Sequence, residues 1–184
     1  MKLRTILIMA GVLIALCVVF MFVRQKPDLL SVEEPPIFIW DFEMVELYKV
    51  DIALPKQQLR EVWVKHEDHY FYFDGPDESK VDMSRWGGGV PLLLSGPTAV
   101  RKITDQVTDT QLSEFGLDEP SMLIGLTLDN GEKLHIELGD NTQNGQGYYI
   151  KKADSNSVFI VDYTWYDVFE KLVLDPPYPE AEKE

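Results

Sequence analysis

An uninterrupted apolar run near the N-terminus limits what this chain of 184 residues can fold into. No charged side chain occurs between Thr5 and Val23, and a helix of that length spans about 28 Å, close to the hydrocarbon thickness of a bilayer. A buried helix of a soluble protein is seldom apolar on every face. A signal peptide usually has a shorter apolar stretch before a small-residue cleavage site. The run therefore predicts an uncleaved transmembrane anchor over residues 1–26.

The orientation of this anchor depends on the bases at its two ends. Lys2, Arg4 and the amino group precede the apolar run, and Arg24 and Lys26 follow it. The small excess of positive charge before the run favours a cytoplasmic N-terminus. We therefore expect a single-pass protein of the cell membrane whose C-terminal domain is extracytoplasmic.

The single cysteine, Cys17, lies inside the apolar run. One cysteine excludes an intrachain disulfide framework and a zinc site built from several cysteines. Bacterial lipidation needs a small residue directly before the modified cysteine, and Leu16 occupies that position. Cys17 is therefore interpreted as a buried thiol of the anchor helix.

The part of the chain beyond the anchor is strongly acidic. The whole sequence has 17 bases and 31 acids. Residues 1–26 hold four of these bases and no acid, so 13 bases and 31 acids remain, a formal charge of −18. A protein that binds nucleic acid needs basic side chains to displace counterions from phosphates. The charge therefore excludes nucleic acid as a partner and predicts repulsion from anionic lipid headgroups.

Composition divides the rest of the chain into three segments. Residues 27–36 contain three prolines and two adjacent glutamates, which predicts an extended, semi-rigid linker. Residues 37–176 combine strand patterns with turn signals and predict one folded domain. Residues 177–184 are rich in proline and glutamate and predict a short acidic tail.

Turn signals within the domain predict antiparallel hairpins. Residues 61–65 and 70–73 have the composition of strands, and His66-Glu67-Asp68-His69 connects them. Asp129-Asn130-Gly131 is a strong hairpin turn between two further strand patterns. Sequential hairpins of this kind pair antiparallel strands, because a tight turn reverses the chain direction.

Capping signals predict short helices between the strands. Asp82 suits the N-cap of a helix that begins near Met83. Thr108 to Gln111 has the pattern of a capping box, and Thr164 to Asp167 suggests a second cap for a last helix that ends at Val173. Because strands and helices do not alternate as they do in parallel sheets, the predicted fold class is α+β. It consists of a mainly antiparallel sheet with short helices, preceded by one N-terminal transmembrane helix.

Several short motifs in the second half of the domain have a distinctive order and spacing. In chain order they are Phe115-Gly116-Leu117-Asp118-Glu119-Pro120, Asn130-Gly131, Leu138-Gly139-Asp140, Tyr148-Tyr149 and Val158-Phe159-Ile160-Val161. Together they resemble a bacterial family of membrane-anchored proteins whose domain has no assigned function. The resemblance is good over residues 100–174 and fainter over residues 37–80. It implies membrane anchoring and, for some members, association with gliding-motility-type ABC transporter components, and it implies no catalytic or ligand residues.

Residues 85–94 depart from that family, whose members tend to have an amphipathic helix at this position. Three interpretations of the segment are open. Its tryptophan and leucines belong to the core, or its glycines and tryptophan contact a partner, or its arginine and free amides hold an anion. The candidate partner contacts are Arg85, Trp86, Gly87, Gly88 and Gly89.

Other residue patterns predict no catalytic, cofactor or metal site. His66 and His69 are metal-ligand types, but on a strand they would face opposite sides, and no cysteine or third histidine lies nearby. The segment from Asp140 to Lys151 lacks the ligands of an EF-hand loop. No Gly-x-Ser-x-Gly motif occurs, and the scattered acids single out no catalytic pair. The pairs Tyr148-Tyr149 and Trp165-Tyr166 suit a sugar platform, although packing against the sheet is the favoured interpretation.

The sequence as a whole favours a non-catalytic accessory or structural subunit of a membrane protein assembly. One helix between Thr5 and Val23 would hold the subunit in the bilayer, and its expected partners are a membrane protein complex and the lipid itself. The alternative is an extracytoplasmic module that binds a glycan or a lipid. We expect no enzyme activity and no cofactor.

Overall fold

The computed structural model of the chain describes residues 11–14, 16, 17, 20, 35–87 and 89–179. Both predicted ends of the anchor, most of the predicted linker and residues 180–184 of the tail lie outside the described residues. The described residues of the apolar run are helical. Within the described part of the chain, no helix combines the length and the apolar character needed to cross a membrane. Contacts divide the chain into two compact units, Met1–Pro35 and Pro36–Glu184.

An antiparallel sheet of eight strands is the framework of the second unit. The strands in chain order are β1 (Ile37–Phe38), β2 (Leu47–Leu54), β3 (Leu59–Lys65), β4 (Phe71–Phe73), β5 (Thr98–Ala99), β6 (Arg101–Thr104), β7 (Met122–Leu128), β8 (Lys133–Asn141), β9 (Gly147–Lys152) and β10 (Val158–Asp162). The large sheet has the order β4-β3-β2-β7-β8-β9-β10-β6, and β1 pairs with β5 separately. Every strand pair is antiparallel.

Four short α-helices accompany the sheet in the described residues. They are α1 (Met83–Trp86), α2 (Gly89–Ser95), α3 (Asp109–Glu114) and α4 (Tyr163–Leu174). The predicted α+β class, with a mainly antiparallel sheet and short helices, is therefore confirmed for the domain. The N-terminal transmembrane helix stays a prediction.

Local capping chemistry explains where the helices begin. The Asp82 carboxylate accepts the Ser84 backbone N–H at 2.8 Å, so α1 starts at the predicted residue. The capping box between Thr108 and Gln111 is also confirmed. The predicted cap of α4 is wrong, because the Asp162 carboxylate accepts the Thr164 backbone N–H at 2.9 Å. A carboxylate at this position satisfies a free N–H and also faces the positive end of the helix dipole.

The core lies between one face of the large sheet and the helices. Alternate side chains on neighbouring strands are buried, as the period of a strand requires; on β2 and β7 they are Leu47, Val50, Ile52, Leu54, Met122, Ile124, Leu126 and Leu128. α4 packs on β2 and β3 and also on β9 and β10. Its Phe169 is completely buried. A single helix thus contacts strands from both halves of the sheet.

Cross-strand ion pairs lie on the opposite face of the sheet. Arg60 on β3 binds the Asp51 carboxylate on β2 through two hydrogen bonds, of 2.9 and 2.5 Å. Lys151 on β9 pairs with Glu137 on β8 at 2.9 Å. Opposite charges on directly paired strands stabilise a sheet modestly. On this face, ion pairs between neighbouring strands support the strand register. On the core face, burial of apolar side chains supports it.

A close backbone contact explains two of the glycine-containing motifs. The Asp140 N–H donates to the Phe115 carbonyl oxygen at 2.8 Å. A Cβ atom on Gly139 would collide with that same oxygen. Gly116 ends the α3 region at φ +64°, a conformation that favours glycine. The motifs around residues 116 and 139 therefore form one junction between the end of α3 and β8.

We predict that Gly139→Ala destabilises the domain by about 3 kcal/mol, because the added methyl group has no space beside a backbone oxygen. Chemical denaturation of the isolated domain measures this change. Gly75→Ala is the matched control, since a Cβ there meets nothing within 4 Å, and it should change stability by less than about 0.5 kcal/mol. Equal stability of the two variants would contradict the close approach.

Candidate functional site

A cleft of about 730 Å³ lies beside the β3–β4 hairpin. We call it the hairpin cleft. It is bounded by the hairpin, by the start of β2 and by the β7–β8 turn, and its lining residues are Val45, Tyr48, Val64, Lys65, His66, Glu67, Asp68, His69, Tyr72 and Asp129. All four residues of the His66–His69 connection therefore line the cleft.

The backbone of this connection turns tightly between β3 and β4. The His66 N–H donates to the Tyr70 carbonyl oxygen, and the His69 N–H donates to the His66 carbonyl oxygen, both at 2.9 Å. His69 has φ +65°, in the left-handed region. The predicted hairpin connection is therefore confirmed. The two histidines lie in a turn, so the alternation of a strand does not govern their directions.

A hydrogen-bonded network centred on Asp68 orders one side of the cleft. The Tyr72 hydroxyl donates to the Asp68 carboxylate at 2.8 Å, and the Tyr70 backbone N–H donates to it at 3.1 Å. Lys80 approaches the same carboxylate at 3.9 Å. The hydrogen bond from Tyr72, followed by the backbone bond and the positive charge of Lys80, lowers the pKa of Asp68. The same bond to Asp68 raises the pKa of Tyr72.

Aromatic rings also line the cleft. The His66 imidazole stacks on the Tyr72 ring with centroids 4.1 Å apart. Tyr48 is 41% exposed at the neighbouring strand. Rings beside carboxylates and an imidazole can contact the apolar face of a sugar and hydrogen-bond its hydroxyl groups. The cleft therefore has the chemistry of a weak site for a neutral polar ligand.

Lys65 and Asp129, which also line the cleft, hold neighbouring elements together. The Lys65 side chain is only 12% exposed and pairs with Asp129 at 3.0 Å. It also donates to the Val45 carbonyl oxygen at 2.6 Å. Among the described residues, no group of three or more histidine, cysteine, aspartate and glutamate side chains could hold a metal ion. Lys65 therefore joins β3 to the β7–β8 turn and to the segment before β2.

A second cavity, of about 450 Å³, lies on the sheet face opposite the core. Strand register places Asp51, Gly125 and His135 in one row across three strands. A Cβ on Gly125 would meet the His135 ring at 3.2 Å. Sequence reasoning missed this cavity because its residues lie on separate strands, and only the sheet order brings them together.

Among the predicted partner contacts, Arg85 binds residues of its own chain through its guanidinium group. Its guanidinium group donates to the Asp175 and Pro176 carbonyl oxygens at 2.5 and 3.0 Å. It also pairs with the Asp175 carboxylate at 2.7 Å. Tyr178, three residues further along, stacks on Phe73 with centroids 4.1 Å apart. Arg85 therefore holds the C-terminal segment against the domain.

Trp86 lies in the core and is only 2% exposed. Its ring packs on Trp63 and Phe71, with centroids 5.1 and 5.0 Å apart. Gly87 follows α1 at φ +50° and breaks the chain direction before α2 begins at Gly89. Gly88 lies outside the described residues. The structure thus supports the core interpretation of the tryptophan, whose ring is not at the surface as a partner anchor would be.

The two aromatic pairs considered as sugar platforms use their ring faces for internal packing. Tyr148 stacks on Tyr166 with centroids 3.9 Å apart, and Tyr149 stacks on Phe115 at 4.4 Å. Trp165 meets the edge of Phe169 at 4.5 Å. The favoured interpretation, packing against the sheet, is therefore confirmed.

The chain was compared with known protein families, curated proteins and solved structures. Residues 94–175 match the family model DUF4340, described as a domain of unknown function. The matched range is less than half of the chain and runs from the end of α2 to the residue after α4. It is consistent with the resemblance to a family whose domain has no assigned function. No curated protein and no solved structure matches the chain.

We predict that Tyr72→Phe raises the pKa of Asp68 toward its ordinary value, because the largest stabilising contact of the carboxylate is lost. Since this pKa is lowered by folding, Asp68 stabilises the domain above its unfolded-state pKa, and the contribution disappears as the pH falls through the folded-state value. Titration of the Asp68 carboxyl carbon by NMR measures the shift. Tyr70→Phe is the control, since Tyr70 contacts Asp68 through its backbone. An unchanged titration in Tyr72→Phe would contradict the network.

We predict that Trp86→Ala lowers the free energy of unfolding by about 3 kcal/mol, because it leaves a cavity among Trp63 and Phe71. The Trp86 indole N–H has no hydrogen-bond partner among the described residues, so its removal offsets part of the loss. Thermal and chemical denaturation measure the effect. Leu92→Ala is the control for an exposed apolar residue and should change stability little. A Trp86 variant as stable as that control would refute core packing.

Proposed function

We propose that the protein is a non-catalytic accessory or structural subunit of a membrane protein assembly. The charge-free run from Thr5 to Val23 carries this proposal, since nineteen such residues suit one passage through a bilayer. The ten-residue linker that follows can extend at most about 35 Å. A domain tethered this way would work close to the membrane.

The charges at the ends of the run support a cytoplasmic N-terminus and an extracytoplasmic domain. The formal charge of −18 beyond residue 26 disfavours broad contact with anionic lipid headgroups. A tethered acidic domain is therefore better suited to meet a protein than the lipid surface. The resemblance noted above implies ABC transporter components as one kind of assembly.

Contacts within the domain support a structural role. Asp68 is engaged by Tyr72, Lys65 joins two elements, and Arg85 holds the C-terminal segment. Each of these charged groups already has a function in maintaining the fold. Catalysis needs groups whose pKa values are poised for proton transfer or nucleophilic attack, and an exposed aspartate with a lowered pKa is not suited to act as a general acid near neutral pH.

A second candidate function is the binding of a neutral glycan. It is favoured by the exposed Tyr48 ring, which lines the hairpin cleft together with the polar side chains of His66 and Glu67. Chemical shift changes at these residues on adding neutral oligosaccharides would support it. A glycan that binds elsewhere, or none that binds, would leave the cleft without this function.

We predict that the full chain stays in the membrane fraction after a carbonate wash and co-purifies in mild detergent with an integral membrane protein at a fixed ratio. The apolar run explains retention, and the accessory role explains the partner. Membrane fractionation and the subunit ratio of the purified complex are the measurements. Release of full-length protein by carbonate would refute the anchor, and a chain that purifies alone would refute the accessory role.

Leu13→Arg provides a matched test of the anchor. A charged side chain near the middle of the run costs about 2.5–3.5 kcal/mol on insertion, so less of this variant should remain in the membrane. Lys26→Arg leaves the charge at the end of the run unchanged and should behave as the natural chain does. Equal retention of the two variants would contradict insertion of the run.

A further inference from the structure

Several exposed apolar side chains lie on β1, on α2 and in the segment between β1 and β2. Leu92 on α2 is 64% exposed and Phe38 on β1 is 46% exposed. Ile37, Met44 and Leu93 are also exposed by more than a third. We call these five residues the apolar patch. Exposed apolar groups on elements that are packed together can form an interaction surface.

Hydrogen bonds fix the elements that carry the patch to one another. The Trp40 indole N–H donates to the Leu94 carbonyl oxygen at 2.6 Å. The Phe42 N–H donates to the Ser95 carbonyl oxygen at 3.0 Å. β5 follows α2 in the chain and pairs with β1. The segment before β2 is therefore held against α2, and the patch is part of a packed surface.

The charged side chains within the two segments that carry the patch are all acidic. The bases that border these segments are Lys49 and Arg85, which pair with Asp74 and Asp175, and Arg101. Residues 86–100 contain no charged side chain, and residues 35–48 contain Asp41, Glu43 and Glu46 but no lysine or arginine. None of these three acids forms an ion pair within residues 35–87 and 89–179. The Asp41 carboxylate lies beside Gly96, where a Cβ would be 3.5 Å away, and the Phe38 ring approaches the same point. The patch thus has an acidic rim.

This charge pattern distinguishes between the possible occupants. Two copies that met through the patch would bring their acidic rims together, and like charges at an interface disfavour association. An anionic bilayer would repel the same rim. A protein surface with an apolar centre and lysine or arginine at its edge satisfies both features. Its bases would pair with the acids, and its apolar side chains would cover Leu92 and Phe38.

We infer that the apolar patch is the docking surface for a membrane partner whose contacting region is apolar and edged with basic side chains. This inference rests on the proposed accessory role and names the part of the domain that performs it. Burial of exposed apolar groups supplies affinity, and the charged rim supplies orientation and a faster encounter. Association should therefore weaken at high salt.

Site-specific photocrosslinking in native membranes tests this surface with the full chain. A photoreactive amino acid at Leu92 should form an adduct with one integral membrane protein. The same probe at Leu59, which is exposed on β3 outside the patch, should not. The crosslinked peptide of the partner should contain an apolar segment with lysine or arginine close to it.

Reversing the charge of the rim tests the complementarity. Asp41→Lys combined with Glu43→Lys should reduce the yield of the Leu92 adduct by about fivefold or more. Glu114→Lys combined with Glu132→Lys makes the same change in net charge at exposed sites outside the rim, and should leave the yield nearly unchanged. Equal melting temperatures of the two double variants ensure that the comparison reports docking.

The possible results distinguish failure of the proposed docking surface from failure of the accessory role. Adducts with lipid alone, adducts with a second copy, or equal yields from Leu92 and Leu59 would overturn the docking surface. A partner that co-purifies at a fixed ratio but never crosslinks from Leu92 would overturn this surface and leave the accessory role standing. If no partner co-purifies and no position crosslinks, the accessory role itself fails.

Discussion

α4 (Tyr163–Leu174) packs against β2 and β3 and also against β9 and β10, which are separated by two strands in the sheet order. Its buried residues recur along one face, with Phe169 at the centre of that face. One twelve-residue helix thus packs against four of the eight strands, two from each half of the sheet. Loss of this contact would expose strands from both halves of the sheet to water, so the remaining elements depend on it.

The helices cover only one face of the large sheet, so the other face is exposed to solvent. The opposite face is stabilised by pairs such as Asp51–Arg60 and Glu137–Lys151. Ion pairs of this kind remain hydrated at the surface and add only modest stability. The hairpin cleft and the apolar patch both lie at edges of this architecture, where connections meet strand ends. Surfaces available for binding therefore arise beside the packed core, at places where variation disturbs the fold least.

The matched family range covers α4 and the strands from β5 to β10, and it begins at Leu94. The glycine junction between Phe115 and Gly139 lies inside this range, so the motifs that carry the resemblance are explained by backbone packing. All five residues of the apolar patch precede residue 94. The proposed docking surface therefore belongs to the part of the chain that the family model does not match.

Interactions between residues close in the chain were predictable from the sequence. The Asp129-Asn130-Gly131 turn and the Thr108–Gln111 capping box depend on chemistry within three or four residues, and the structure contains both. The cap of α4 was mispredicted because the local pattern favours Thr164, whereas β10 ends at Asp162 and places that residue directly before the first helical turn. Choices of that kind depend on the preceding element as well as on local preference.

The sequence by itself determined the apolar run, the acidic charge of the domain and the α+β class, because each follows from composition or from short repeats. Tertiary structure alone decided that Trp86 is buried, that Arg85 binds Asp175 and that β6 lies beside β10. These facts depend on residues that are far apart in the chain and meet only when the sheet order is set. The same holds for the apolar patch, since the elements that carry it are joined only when β1 pairs with β5 and the Trp40 indole N–H binds the Leu94 carbonyl oxygen. The pattern of side chains determines which face of an element is apolar. Packing of the whole domain determines which other element covers that face.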